Sequence, residues 1–348
     1  MPRYAPRNER VKAVLLTGGR GTRLRPLTLD TPKPLMPVVN RPFLRYQLEV
    51  LRGHVDEVIV CAADPGPFAR ALRARAAGLR LRYLSEDQPL GTGGAVRNAA
   101  PLLARESEAL VLNGDVLNNL DVAGFLRAHR KARARATIAL TRVPDPTLYG
   151  LVETAAGGRI ARFVEKPSPD EAVGNLINAG AYIFDRSIWD SLKPGPSSLE
   201  RDFFPSVIES GGLFSFESKG YWIDIGTIDR YLQVHLDLLG GRTGLPLPKT
   251  RPSLDGGRVA LGEGARVDDT ACFSGNVSVG PRCVISAGAV LRDCVVLEGT
   301  RIGPNARVER CVVGPRCRVG ERASLVSPGR AHATALAAGS RIEAYSCL

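Results

Sequence analysis

The chain has 348 residues, of which 47 are Lys or Arg and 35 are Asp or Glu, so its formal net charge is +12 with histidine neutral. This length predicts about two domains, and 44% hydrophobic with 24% charged residues excludes a wholly disordered chain. No apolar run approaches the roughly 20 residues needed to cross a bilayer, and residues 1–10 have no signal-peptide core. We therefore expect a cytoplasmic protein without a membrane partner.

The excess of basic residues is compatible with nucleic acid, with an anionic substrate, or with an arginine-rich composition alone. Its densest run, residues 127–135, lies in a predicted helix and contains no aromatic side chains. Without such stacking partners we interpret the run as a solvated helix face and expect no nucleic-acid partner.

The cysteines number seven and include no Cys-x-x-Cys pair. An odd number without that pair argues against both a disulfide framework and a zinc ribbon. We expect reduced thiols that fill a core.

Strand-like and helix-like segments alternate through about the first 150 residues, which predicts a parallel sheet covered by helices. In chain order the predicted elements are a strand at 12–16, a helix at 43–52, strands at 57–62 and 80–85, a helix at 95–103 and a strand at 109–112. Ligands of such sheets bind at the carboxyl ends of the strands. Closely spaced strands follow at 137–143, 159–165 and 176–184, and then a helix at 228–239.

A Gly/Pro-rich segment at 240–252 predicts a linker, so we expect one domain at 1–245 and a second at 246–348. Beyond it, small or aliphatic residues recur every six positions. One series is Ala265, Ala271, Val277, Cys283, Ala289 and Val295; the other is Val284, Val290, Val296, Ile302 and Val308, which resumes after a five-residue step at Val313, Val319 and Leu325. This period predicts a parallel β-helix of roughly four coils, with about eighteen residues in each coil. A β-sandwich with accidental spacing is the alternative.

The segment 17–38, TGGRGTRLRPLTLDTPKPLMPV, directly follows the first predicted strand. Its glycines Gly18, Gly19 and Gly21 allow the backbone to approach a phosphate chain. Arg23 and Lys33 supply positive charge to the phosphate oxygens. The segment lacks both the Gly-Lys-Ser/Thr ending of a P-loop and the Gly-x-Gly-x-x-Gly dinucleotide fingerprint.

This segment resembles the signature of the sugar-1-phosphate nucleotidyltransferases, also called nucleotide-sugar pyrophosphorylases. Further motifs of that family follow in its order: LGTGGA at 90–95, NGD at 113–115, YG at 149–150, FVEKP at 163–167, NAGAY at 178–182 and WIDIGT at 222–227. The resemblance covers residues 12 to about 240, and the hexapeptide tail extends it to about 330. It implies a Rossmann-like mixed α/β sheet followed by a left-handed parallel β-helix.

The resemblance also implies roles for individual residues. The catalytic set is Arg23, Lys33, Asp115, Lys166 and Asp224, of which Asp115 and Asp224 bind Mg²⁺. The nucleotide site is Leu16, Gly18, Gly19, Gly21, Thr22, Arg23, Lys33, Gln88, Gly91, Thr92, Gly93, Asn113 and Asp115, with the loop 88–94 as the wall against the base. The sugar-phosphate site is Tyr149, Gly150, Glu165, Lys166, Asn178 and Asp224.

The implied reaction converts a sugar 1-phosphate and an NTP into an NDP-sugar and pyrophosphate. The sugar phosphate is already ionised at neutral pH, so the reaction needs positioning and charge stabilisation rather than a general base. The tail implies a homo-oligomer through the β-helix.

The motifs resemble the mannose-1-phosphate guanylyltransferases most closely, which favours GTP and mannose 1-phosphate. Gly93 replaces the alanine usual in their Leu-Gly-Thr-Ala-Gly motif, a form that also resembles the heptose-1-phosphate guanylyltransferases. Heptose, glucose or cyclitol phosphates, and ATP or dTTP, therefore stay open. A catalytically silent, regulatory sugar-nucleotide-binding subunit is an alternative of another class, and an acyltransferase activity in the tail is not expected, since no histidine lies between 255 and 330.

Overall fold

The structure, a computed structural model, describes residues 10–19, 21–73, 75–329 and 332–348. Residues 1–9, part of the stretch predicted to lack a signal-peptide core, and Arg20 of the glycine-rich segment lie outside the described residues. The chain forms two compact units. The first comprises residues 10–19 and Leu44–Trp222, and the second comprises residues 21–43 and Ile223–Leu348. These units differ from the predicted domains, whose boundary at 245 stays a prediction.

The first unit is an α/β structure. Its strands are β1 (Val11–Leu16), β4 (Val55–Ala62), β5 (Arg75–Ala76), β6 (Leu79–Ser85), β7 (Glu108–Asn113), β8 (Val116–Asn118), β9 (Ala136–Arg142), β10 (Gly150–Thr154), β11 (Ile160–Glu165), β12 (Leu176–Asp185) and β13 (Leu213–Glu217). Its helices are α1 (Phe43–Leu51), α2 (Gly66–Leu72), α3 (Gly91–Leu103), α4 (Val122–Ala132), α5 (Arg186–Ser191) and α6 (Phe204–Glu209), with a π-helical turn at Leu199–Phe203 before α6. The first residue of α1, Phe43, is the last residue of the short early segment that belongs to the second unit.

Ten of these strands form one mixed sheet in the order β11-β10-β12-β7-β1-β4-β6-β5, with β9 beside β12 and β13 beside β9. The strands β7, β1, β4 and β6 run parallel, whereas β12 runs antiparallel to β7. The mixed sheet therefore confirms the predicted fold class. The parallel strands β1 and β4 are almost entirely buried, because helices cover both faces of such sheets.

The basic run 127–135 lies where α4 ends and β9 begins. Asp121 caps the helix by accepting a hydrogen bond from the Gly124 backbone N–H at 2.9 Å. Arg130 pairs with Glu108 at 2.6 Å, and His129 is buried against Thr137. Burial lowers the pKa of His129 to about 4, so this ring is neutral at physiological pH.

The second unit combines a short segment near the start of the chain with its last 126 residues. That segment holds β2 (Pro37–Val38) and β3 (Arg41–Pro42), and the later part begins with the end of β14 (Trp222–Asp224), followed by α7 (Ile228–Leu239). The Val39 N–H donates to His235 Nδ1 of α7 at 3.3 Å, and Asn40 Nδ2 donates to the Val279 carbonyl at 3.0 Å. These bonds tie residues 37–40 to both α7 and the repeat region.

The repeat region forms three stacks of short strands, in which every pair is parallel except the first, Arg251–Pro252 with Arg258–Leu261. The first stack is β15 (Arg251–Pro252), β16 (Arg258–Leu261), β19 (Val277–Val279), β22 (Val295–Val296), β25 (Cys311–Val313) and β28 (Thr334–Leu336). The second is β17 (Arg266–Val267), β20 (Val284–Ile285), β23 (Arg301–Ile302), β26 (Arg318–Val319) and β29 (Arg341–Ile342). The third is β18 (Cys272–Ser274), β21 (Val290–Arg292), β24 (Arg307–Glu309) and β27 (Ser324–Val326). This architecture confirms the predicted parallel β-helix, while its handedness stays a prediction.

The periodicity is correct in one predicted series and wrong in part of the other. Val277, Cys283 and Ala289 are fully buried, as predicted, whereas Val284 is half-buried and Val290 is 40% exposed. After Leu291 the next inward-pointing residue of this series is Val296, five positions later rather than six. From this point on, the inward positions are shifted by one residue relative to the earlier repeat. A coil is therefore 18 residues long from Arg266 to Val284 but 17 from Val284 to Arg301.

All seven cysteines are free, so the prediction of reduced thiols is confirmed. Cys61, Cys283, Cys294, Cys311 and Cys317 are buried, and burial raises the pKa of the Cys61 thiol to about 12. The prediction that they all fill a core is wrong for Cys272 and Cys347, which are exposed. Within the described residues, none of the helices has the length and apolarity to cross a membrane.

We expect Ile302→Ala to destabilise the β-helix by about 2–5 kcal/mol, because the isoleucine is fully buried and its removal leaves a cavity between coils. Arg301→Ala on the exposed side of the same strand is the matched control, with a change below about 0.5 kcal/mol. Denaturant unfolding monitored by circular dichroism measures both changes. Equal effects of the two substitutions would contradict the assigned inward and outward faces.

Candidate functional site

The glycine turn begins at the carboxyl end of β1, the strand between β4 and β7. The Thr17 N–H donates to the Cys61 carbonyl at 3.0 Å, and the Gly114 N–H donates to the Leu16 carbonyl at 2.8 Å. The turn is thereby held at the carboxyl ends of three parallel strands, where ligands of such sheets bind. Gly18 and Gly19 are exposed there, as a phosphate cradle requires.

The later part of the same predicted cradle, residues 21–33, lies in the second unit. Gly21 has a φ of 59°, a left-handed conformation that favours glycine, and it begins a 3₁₀ turn at Thr22–Leu24. A Cβ atom at Gly21 would lie 3.1 Å from the Lys33 Cβ, so the chain returns to bring this lysine beside the glycine. Lys33 is buried, at 7% exposure, whereas Thr22 and Arg23 are exposed.

Asp224 lies close to Arg23 within the second unit. A Cβ atom built at Gly226 would lie 2.5 Å from Asp224 Oδ2 and 3.5 Å from Arg23 Nη2. Because both atoms lie that close to one point, the distance between Asp224 Oδ2 and Arg23 Nη2 is at most 6.0 Å. The other carboxylate oxygen, Asp224 Oδ1, forms an ion pair with Arg230 Nη1 of α7. The structure therefore brings together two residues of the predicted catalytic set, and it adds Arg230, which belongs to none of the sequence motifs.

Asp115 follows β7 in the Asn113-Gly114-Asp115 motif and is half-buried in the first unit. Gln47 Nε2 donates to the Asn113 carbonyl at 2.7 Å, which fixes the backbone just before the aspartate. A Cβ atom at Gly180 would lie 2.9 Å from Asn113 Nδ2, so the predicted nucleotide and sugar segments meet at Asn113.

The predicted metal ligands suit Mg²⁺ by their chemistry, since the ion prefers one or two carboxylates and takes its other ligands from phosphates and water. No group of three or more His, Cys, Asp or Glu side chains suited to a metal ion occurs in the described parts of the chain. Asp115 belongs to the first unit and Asp224 to the second, and their shared role as magnesium ligands stays a prediction.

The segment 88–94 differs from its predicted form. The helix predicted to begin at Ala95 begins at Gly91, so Gly91, Thr92 and Gly93 form its first turn rather than a loop. The Gly93 N–H donates to the Ser197 carbonyl at 2.9 Å, and a Cβ atom at Gly91 would lie 2.5 Å from the same oxygen. The close approach of residues 195–197 therefore accounts for these glycines, and only residues 88–90 of the predicted base wall lie outside the helix.

Glu86 is a functional candidate that the sequence analysis missed. Its side chain is buried at 5% exposure, and a Cβ atom at Gly18 would lie 3.1 Å from Glu86 Oε2. Burial raises the pKa of Glu86, and a hydrogen bond from the Leu90 backbone opposes that shift. The carboxyl group thus lies between the glycine turn and the start of α3, where the base is predicted to bind.

Four of the six predicted sugar-phosphate residues lie around the end of β11 in the first unit: Tyr149, Gly150, Glu165 and Lys166. Gly150 pairs with Glu165 across the sheet, and the Lys166 N–H donates to the Tyr149 carbonyl at 3.0 Å. Lys166 has a φ of 51° and is exposed beside the half-buried Glu165. Burial raises the pKa of Glu165, the negative charge of Glu200 adds to this shift, and Lys166 opposes it.

A chain of hydrogen bonds links Asn178 to Glu200, another residue that the sequence analysis missed. Asn178 Nδ2 donates to the Tyr182 hydroxyl at 2.8 Å, and that hydroxyl donates to Glu200 Oε1 at 3.3 Å. Thr92 Oγ1 donates to Glu200 Oε2 at 2.8 Å. Glu200 therefore connects Thr92 of the predicted nucleotide site with Asn178 of the predicted sugar site. Oxygen acceptors of this kind suit the hydroxyl groups of a sugar.

The structure thus places the predicted residues in two groups. Leu16, Gly18, Gly19, Gln88, Gly91, Thr92, Gly93, Asn113, Asp115, Tyr149, Gly150, Glu165, Lys166 and Asn178 belong to the first unit, and Gly21, Thr22, Arg23, Lys33 and Asp224 belong to the second. Their individual roles stay predictions.

Comparison with known protein families finds two matches along the chain. Residues 12–240 match the family described as Nucleotidyl transferase, and residues 256–344 match the family described as GMPPB C-terminal domain. The two matches together cover the mixed sheet, α7 and most of the β-helix.

Individual relatives extend over most of this chain. It is 37% identical to a mannose-1-phosphate guanylyltransferase of Mycobacterium tuberculosis, over 86% of this chain and 83% of that protein. It is 34% identical to mannose-1-phosphate guanylyltransferase 1 of Arabidopsis thaliana, over 90% of this chain and 89% of that protein. Among solved structures it is similar to HddC from Yersinia pseudotuberculosis, with a TM-score of 0.57 and 28% identity over 66% of this chain and 99% of that one.

Proposed function

Because this chain belongs to the nucleotidyl transferase family and is a sugar-1-phosphate nucleotidyltransferase, we propose that it converts GTP and mannose 1-phosphate into GDP-mannose and pyrophosphate. The observation that carries the choice of substrates is the identity of 34–37% to mannose-1-phosphate guanylyltransferases over 86–90% of the chain. Glucose, heptose and cyclitol phosphates, and ATP or dTTP, are the competing substrates. The cytoplasmic location stays a prediction.

The proposed reaction joins two polyanions. A sugar phosphate oxygen attacks the α-phosphorus of the nucleotide, the bond to the β-phosphate oxygen breaks, and pyrophosphate leaves. We assign Arg23 and Lys33 to the triphosphate and Lys166 to the sugar phosphate, because fixed positive charges offset the repulsion between the reactants. Mg²⁺, when bound by Asp115 and Asp224, supplies further charge neutralisation on the phosphate oxygens.

Glu86 supports guanine as the base. A buried carboxylate accepts hydrogen bonds, and guanine presents two adjacent donors, its N1–H and its 2-amino group, whereas adenine presents an acceptor at N1. Recognition of a base by such a pair discriminates by about 1–3 kcal/mol. Glu165 and Glu200 support a polyhydroxy partner in the same way, since their oxygens accept from sugar hydroxyls.

We expect Glu86→Gln to lower kcat/KM for GTP about 10- to 100-fold and to reduce the preference for GTP over ATP. Pyrophosphate release in the presence of mannose 1-phosphate measures both values. Asp87→Asn, which removes an exposed neighbouring carboxylate, is the matched control and should leave the preference unchanged.

The pH dependence gives a second readout of the same residue. The pKa of Glu86 is raised, so the accepting carboxylate is fully present above that raised pKa and is lost as the pH falls through it. In the wild-type enzyme the KM for GTP should therefore rise on acidification, and the rise should begin at a higher pH than the pKa of an ordinary carboxyl group would predict. This rise should be absent in Glu86→Gln. An unchanged GTP preference in Glu86→Gln would remove the structural support for guanine.

A silent regulatory subunit is the competing function, and the complete set of Arg23, Lys33, Asp115, Lys166 and Asp224 argues against it. A pyrophosphate-release assay with GTP, ATP and dTTP against mannose, glucose and heptose 1-phosphates tests the proposal directly. We expect the highest kcat/KM for GTP with mannose 1-phosphate. No release with any pair would favour the silent subunit.

A further inference from the structure

The second unit contains a cavity that none of the roles above uses. Its volume is about 180 Å³, and it lies between the first turns of α7 and one corner of the β-helix. Its lining residues are Asp229, Arg230, Leu232, Gln233, Arg310 and Ala333.

Two arginines give the cavity its chemistry. Arg230 comes from α7 and Arg310 from the β-helix, where its Nε donates to the Gly329 carbonyl at 3.4 Å. The one acidic residue, Asp229, has its Oδ1 engaged by the Ala333 N–H at 2.5 Å. Two guanidinium groups in one small cavity suit a phosphate, whose oxygens they bind as paired donors.

The remaining lining suits hydroxyl groups and limits the size of the ligand. Gln233 Nε2 donates to Asp237 Oδ1 at 2.7 Å, so we assign the Gln233 carbonyl oxygen, together with Asp229 Oδ2, to the hydroxyl groups of a ligand. Leu232 adds an apolar wall. The volume is below the roughly 300–1,000 Å³ of pockets for drug-sized ligands. A ligand smaller than a nucleotide therefore fits.

We propose that this cavity is a second binding site, which shares Arg230 with the ion pair of Asp224, for a small phosphorylated polyhydroxy molecule such as a sugar monophosphate. Its phosphate lies between Arg230 and Arg310, and its hydroxyls bind Asp229 and Gln233.

The site is coupled to Asp224 through Arg230. The same guanidinium that lines the cavity forms the ion pair with Asp224 Oδ1, so a bound phosphate competes with the Asp224 carboxylate for it. Such a competition is reciprocal, because each anion weakens the hold of the other on Arg230. Any effect on turnover rests on the proposed function of Asp224, whereas the binding and the competition do not.

Titration calorimetry of the full-length protein with mannose 6-phosphate tests the site, since this probe lacks the anomeric phosphate that the proposed reaction needs. We expect one probe per chain at the cavity, and at least tenfold weaker binding in Arg310→Asn. Asparagine is chosen because Arg310 has a φ of 52°, which asparagine tolerates. Arg301→Asn, at another exposed arginine of the β-helix, should bind the probe like the wild type, and Arg310→Asn should keep its basal turnover.

Asp224→Asn tests the competition by binding alone. It releases Arg230 from its ion pair, so we expect several-fold tighter binding of mannose 6-phosphate, and an unchanged affinity would overturn the coupling. Lys166→Gln should leave the cavity affinity unchanged. Absence of saturable binding, or loss of it in Lys166→Gln but not in Arg310→Asn, would overturn the site. Equal affinity for inorganic phosphate would overturn the hydroxyl contacts of Asp229 and Gln233.

Discussion

Asp115→Asn is expected to lower kcat for pyrophosphate release by at least 10²–10³-fold while the protein stays folded. The substitution keeps the size of the side chain but removes the negative charge that we assign to Mg²⁺. Asp115 is half-buried two residues beyond the end of β7, a strand whose first five residues are buried. Steady-state kinetics with saturating GTP and mannose 1-phosphate measure the loss.

Two controls separate chemistry from folding. Thermal unfolding of Asp115→Asn should stay close to that of the wild type, and Asp190→Asn, at an exposed position far along the sequence, should keep full turnover. Wild-type turnover in Asp115→Asn would remove this aspartate from the catalytic set.

Lys166→Gln is expected to raise the KM for mannose 1-phosphate and to lower kcat/KM for it by about 10²-fold or more, because a fixed positive charge against a phosphate contributes a few kcal/mol. Lys166 is held in a left-handed conformation beside Glu165, and its backbone N–H is bonded to Tyr149. The KM for GTP should change far less, since we assign the lysine to the sugar phosphate.

Lys219→Gln is the matched control for this second substitution, because it removes an exposed lysine of the same unit. If Lys166→Gln raised only the KM for GTP, the lysine would bind the nucleotide instead of the sugar phosphate. Loss of Lys166 should also raise the pKa of Glu165 further, since the lysine now opposes the shift that burial causes.

The sequence predicts the fold well where a pattern reports burial directly. The strands β1 and β4 are largely apolar runs of six and eight residues, and the predicted helix at 228–239 matches α7, Ile228–Leu239. The β-helix is predicted by the six-residue repeat, but the prediction of which residues point inward is wrong at Val284 and Val290. Valines occupy both the inward and the outward positions, so the sequence does not reveal the five-residue step after Leu291.

The candidate site is predictable only where chemistry is concentrated in a short motif. Glu86 and Glu200 lie in no motif that we used, and their significance comes from contacts with residues distant in the chain, such as Gly18 for Glu86 and Thr92 for Glu200. The start of α3 was missed because three glycines argue against a helix on propensity, whereas close packing against residues 195–197 requires them. Arg230 was missed because its importance depends on Asp224.

The central claim is that an oxygen of the sugar phosphate attacks the α-phosphorus of the nucleotide. It is tested most directly by mass spectrometry of the products formed from mannose 1-phosphate that carries ¹⁸O on its phosphate. The account predicts that all of the ¹⁸O stays in GDP-mannose and that the pyrophosphate carries none. Pyrophosphate that carries ¹⁸O, or pyrophosphate released at the same rate without any sugar phosphate, would contradict it.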